Sequence, residues 1–82
     1  MNTTIRLKIK KEVDTPTARK ILKLKGNLIA QSFTDLIHYD DADEDTYIHY
    51  FTTEDIKRQE ATNYILSYID EEGLNELVNI VS

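Results

Sequence analysis

Asp41, Asp43 and Asp45 stand at alternate positions within the run Asp40-Asp41-Ala42-Asp43-Glu44-Asp45 and reproduce the first three ligand spacings of a calcium loop. The rest of that pattern fails. Its sixth position is Thr46 where a sharp turn needs glycine, and its twelfth is Thr52 where a bidentate Glu is needed. The flanking residues, Ile37-His38-Tyr39 and Ile48-His49-Tyr50, are of strand type and not helical. The two histidines, with Asp40 as a third ligand, suggest a transition-metal site if they face one another across a hairpin. Two strand histidines beside tyrosines are the plainer reading, so no metal or cofactor is expected. Ser32, Ser67 and Ser82 lie in no nucleophile context, cysteine is absent, and two glycines cannot build a phosphate-cradling loop. In a chain of 82 residues, too short to enclose a deep cleft, these absences weigh against an enzyme.

Charge is the stronger signal. Residues 1–25 hold eight of the ten Lys and Arg with only Glu12 and Asp14, whereas the remainder holds thirteen Asp and Glu against Lys57 and Arg58. Extended surfaces of one sign steer encounters with partners of the other. Candidate partner-binding residues are Asp40, Asp41, Asp43, Glu44 and Asp45, supported by Glu54, Asp55, Glu71 and Glu72. Carboxylates fixed on a rigid frame can present to a basic protein something like the phosphate rows it normally meets. Direct nucleic-acid binding through Arg6, Lys8, Lys10, Lys20 and Lys23 is the rival, with His38, Tyr47, His49 and Phe51 as a stacking platform. The net charge of −5 disfavours it. A third reading is an inhibitor that caps an enzyme through an apolar sheet face.

The elements that must carry these groups are legible in outline. Strict alternation from Thr4 to Lys10 predicts a strand with Ile5, Leu7 and Ile9 on one side and a basic outer face. Asp14-Thr15-Pro16 starts a helix, and Ala18, Ile21, Leu22, Leu28, Ile29 and Phe33 keep a helical phase that favours its running through Gly26-Asn27, although Lys20, Lys23 and Lys25 before Gly-Asn also resemble a helix end with Leu28 to Phe33 extended beyond it. Residues 36–51 predict a hairpin. Pairing His38 with His49 would put Ile37, Tyr39, Ile48 and Tyr50 on the core side. Thr52-Thr53 signal a second helix with Ala61, Tyr64, Ile65, Tyr68 and Ile69 as its apolar stripe, and Asp70 to Val81 a short third. The fold expected is therefore α+β in the order β-α-β-β-α-α. Its three-stranded sheet, ordered 1-3-2, is split-βαβ-like with helices packed on one face. Open sheet edges make a homodimer the expected assembly.

In size, acidity, lack of cysteine and Lys/Ile/Asn/Asp-rich style, the chain resembles the small host-takeover proteins of tailed phages. Some of these are DNA mimics that block histone-like nucleoid proteins, restriction enzymes or CRISPR effectors. The resemblance covers the whole chain and rests on size, charge and composition. It implies a basic nucleic-acid-binding host protein as partner, met in the host cytoplasm. With no apolar run of membrane-spanning or leader length, an intracellular location without membrane contact is expected.

Overall fold

The computed structural model describes residues 1–81. Its elements are β1 (Asn2–Lys10), α1 (Thr15–Ala30), β2 (His38–Asp41), β3 (Thr46–Glu54), α2 (Arg58–Glu71) and β4 (Val78–Ile80), with a 3-10 turn at Asp55–Lys57. The sheet is antiparallel throughout and ordered β2-β3-β1-β4. This is the complete split-βαβ plan. The expected neighbour relation of the first three strands holds, and the strand missing from the expected sheet is supplied by the C-terminal segment.

That segment corrects the expectation of a third helix. Gly73 takes a left-handed φ of 69°, and Leu74 N–H bonds back to Ile69 C=O at 2.8 Å, which closes α2. Val78-Asn79-Ile80 then pairs with Leu7 to Ile9 and buries Val78. An apolar run this short fits either period, and the free side of β1 offered it a ladder. The second helix also begins later than Thr52-Thr53 implies. Both threonines extend β3 against Thr3 and Thr4 of β1, so the helix starts at Arg58. The Arg58 guanidinium donates to Thr3 Oγ1 and, at 2.9 Å, to Thr4 C=O, tying the first turn of α2 to β1.

The first helix runs unbroken through Gly26. The Asp14 carboxylate caps it by accepting from Thr17 N–H at 2.9 Å, and hydrogen bonding from Thr17, its side chain first and then its N–H, holds the carboxyl below its usual range. At the other end Phe33 N–H reaches Leu28 C=O while Ser32 takes φ 65°, a left-handed position more often filled by glycine. Asn27 faces α2, where its amide donates to Tyr64 Oη at 2.8 Å. Lower on the same seam Tyr68 Oη donates to Lys20 C=O, and Lys20 Nζ donates to Glu72 C=O at the end of α2.

One buried cluster unites Ile5, Leu7, Ile9, Phe51 and Val78 of the sheet with Ile21, Leu24 and Leu28 of α1 and Ala61, Ile65 and Ile69 of α2. Leu24 is central to it, whereas Leu22 and Ile29, expected on the apolar stripe, are 63% and 44% exposed. The phase of β3 also differs from expectation. His38 lies opposite Tyr50 and Tyr39 opposite His49, so His49 and Phe51 point to the core side while Ile48 and Tyr50 point away. The β1 pairing decides this: Ile5 and Leu7 sit opposite Phe51 and His49, and residues directly opposite share a face.

Leu24→Ala should lower the unfolding free energy by about 2–5 kcal/mol. Leu22→Ala, two residues away on the exposed side, should change it by less than about 0.5 kcal/mol. Urea titrations followed by circular dichroism check both.

Candidate functional site

The acidic residues are held by the frame just described. Asp43 organises the β2–β3 turn: its Oδ1 accepts from Asp45 N–H, Thr46 N–H and Thr46 Oγ1, each at 2.9 Å. Those bonds depress its pKa, the Thr46 hydroxyl most, with Lys8 adding a smaller pull. Of the alternate aspartates, Asp43 therefore braces the turn from inside. Lys11 N–H donates to Asp45 C=O at 2.8 Å, pinning the acidic tip to the end of β1. On the other side of β1, Lys10 N–H donates to Leu77 C=O at 3.0 Å, pinning the segment that follows α2.

Both bonds fall where β1 ends and Glu12 and Asp14 lead into α1. The topology thus gathers three acidic stretches at one end of the sheet: Glu12 with Asp14, the tip Asp41 to Asp45, and the return Asp70 to Glu76. Asp40 lies just behind the tip on β2. Of the candidate residues all are exposed except Glu72, which is half-buried. Glu54 and Asp55 do not join them. They finish β3 at its far end, about 25 Å from the tip at the usual strand rise. Glu12 and Asp14, by contrast, escaped the sequence reading because they lie within the basic segment, and only chain reversal after β1 brings them beside the tip.

Three lysines enter this acidic end. Lys11 Nζ lies 2.8 Å from Asp41, which raises the lysine pKa chiefly through that hydrogen bond, while Lys8–Asp43 and Lys20–Glu72 are looser at 3.7 and 3.8 Å. Exposed pairs of this kind contribute little, because solvent and salt screen them. Glu44, Asp45, Asp70, Glu71 and Glu76 have no such partner among the described residues.

On the sheet face turned away from the core, β1 carries the opposite sign, while Asp40 of β2 shares that face opposite Ile48. Arg6, Lys8 and Lys10 line β1, flanked by Tyr50, Ile48 and Thr46 of β3. His38 stacks on Tyr50 at 5.2 Å and 22°. Tyr50 has a raised pKa, caused first by desolvation and then by its interaction with Asp40. A groove of about 690 Å³ opens here between this face and residues 32–36, with Arg6, His38 and Tyr50 on its wall. The anticipated stacking platform is split: Tyr47, His49 and Phe51 turn to the other face and only His38 remains, joined by Tyr50. The same register separates His38 from His49, so the two cannot share one metal ion with Asp40.

His49 is 7% exposed and its Nδ1 has no hydrogen-bond partner among the described residues. Desolvation, with a smaller push from Lys25, lowers its pKa from 6.5 to about 4. The ring is therefore neutral at pH 7.

Comparison of the chain with protein-family models, with curated proteins and with solved structures found no significant match. Among the described residues no helix is long and apolar enough to cross a membrane.

A depressed histidine binds fewer protons folded than unfolded, so stability should fall as pH drops from 6.5 towards 4. His49→Phe should flatten that slope, measured by denaturant titrations at several pH values, and the His49 ring resonances should titrate near pH 4.

Proposed function

We propose that this chain is a non-enzymatic binding protein whose acidic end occupies the nucleic-acid site of a basic host protein, such as a histone-like nucleoid protein. The observation that supports it is the convergence of three acidic stretches, distant in sequence, at the end of β1 through the Lys11–Asp45 and Lys10–Leu77 backbone bonds. Their carboxylates are borne by a braced turn and by helix ends, so little backbone ordering remains to be done on binding. Attraction to a basic groove speeds association and weakens with salt. The lysines at this end do not prevent it, because weak exposed pairs yield to a partner's Arg and Lys.

A second reading rests on the outer sheet face, where Arg6, Lys8 and Lys10 run beside Tyr50 and His38. A basic stripe next to stacked rings suits single-stranded nucleic acid. The two readings use different residues and separate cleanly. As for assembly, β4 occupies one side of β1, so a dimer formed through the sheet would use the outer edge of β2 or of β4.

In mobility-shift assays the chain should release DNA from a histone-like protein without retarding DNA itself. Glu44→Lys, Asp45→Lys and Glu71→Lys combined should weaken release by about tenfold or more, and added salt should weaken it further. Glu54→Lys with Asp55→Lys should leave it nearly unchanged. Asp43 is spared because its loss would undo the turn. Retardation of RNA or DNA by the chain alone, abolished by Arg6→Glu with Lys8→Glu, would transfer the function to the outer face.

A further inference from the structure

A cavity of about 310 Å³ opens between α1 and the inward side of β2 and β3, with Lys10 on its rim. Three rings form its wall. Tyr39 stacks on His49 at 5.5 Å and 23°, and Tyr47 meets both edge-on, 5.4 Å from Tyr39 and 6.1 Å from His49. Ile9 and Ile21 supply aliphatic lining. Packing alone leaves three features unexplained. Tyr39 stands at an inward register position yet is 60% exposed. His49, although buried, holds a ring nitrogen with no partner among the described residues. Lys25, on the α1 side of the cavity, carries its ammonium 6.0 Å from the Tyr39 ring and forms no ion pair among the described residues.

We propose that this cavity binds a small planar aromatic carboxylate, its ring against Tyr39, Tyr47 and His49 and its carboxylate against the Lys25 ammonium. Aromatic faces favour a flat ring in offset or edge-on contact. The Lys25 ammonium beside this wall of rings supplies a charged group that can fix a ligand's orientation. The volume lies at the lower limit for small-molecule sites and suits one ring or two fused rings. Lys11 lies over Tyr47 at 4.9 Å but is engaged by Asp41 at 2.8 Å, and of the two lysines that line the cavity, Lys10 and Lys25, it is Lys25 whose ammonium stands beside the Tyr39 ring.

The test is a nuclear magnetic resonance titration of the full chain with indole-3-acetate and, in parallel, with uncharged indole-3-acetamide. Saturable shifts should centre on Tyr39, Tyr47 and His49, with the acid bound about tenfold more tightly than the amide. Lys25→Gln should bring the acid to the amide's affinity without altering the amide's own, and Tyr39→Ala should weaken both by about tenfold or more. The amide spectrum of each variant verifies its fold; should Tyr39→Ala unfold, Lys25→Gln decides alone. Absence of saturation at millimolar probe, equal affinity for acid and amide, or shifts centred on the outer sheet face would overturn the proposal.

Discussion

The nine-residue antiparallel pairing of β1 with β3, from Asn2 opposite Glu54 to Lys10 opposite Thr46, is the constraint on which the other parts depend. Because side chains alternate across a strand, this register places Ile5 and Leu7 beside Phe51 and His49 and sends Arg6 and Lys8 to the opposite face with Tyr50 and Ile48. A slip by one residue would put the basic stripe against Leu24 and Ile65. The cost of burying unpaired ammonium and guanidinium groups makes that alternative untenable. The hydrophobic pattern of β1 thus sets the phase of β3, and β3 in turn sets that of β2.

The same pairing sorts the charge. The strand β1 carries bases on its outer face and ends among acids, so one short element joins the two electrostatic halves of the molecule. Chain reversal after β1, the β2–β3 turn and the return from α2 all occur at this end, and each return is made by acidic residues. Sequence segregation of charge becomes spatial segregation for this reason. At the opposite end Arg58 and Lys57 are bonded to Thr3 and Ser32, with Glu54 and Asp55 beside them, and no comparable concentration of acid forms.

Two buried polar atoms, both on β3, have no hydrogen-bond partner among the described residues. His49 stands at an inward position where a neighbouring strand would ordinarily offer only apolar contacts, and its neutral ring survives there because desolvation has removed its affinity for a proton at neutral pH. Thr53, the next inward residue but one, likewise has an unpartnered buried hydroxyl. A group left in this state costs on the order of 1–3 kcal/mol. Both lie on β3, the strand whose register is dictated by its neighbour and not by its own apolar content.

The sequence determined what local physics can write. Alternation over Thr4 to Lys10 defined β1 and its two faces, Asp14 and Pro16 marked the start of α1, the stripe from Ala61 to Ile69 defined α2, and composition divided basic from acidic stretches. Tertiary structure decided whatever had two local solutions of similar quality. Tyr47, His49 and Phe51 compete with Ile48 and Tyr50 for the core, and only pairing with Ile5 and Leu7 chose the first set. Leu77 to Val81 fits a helix turn or a strand, and the unpaired side of β1 made it a strand by satisfying its backbone groups. The union of Glu12, the hairpin tip and Asp70 to Glu76, and the separation of Glu54 and Asp55 from them, follow from where the chain reverses, which no window of sequence contains.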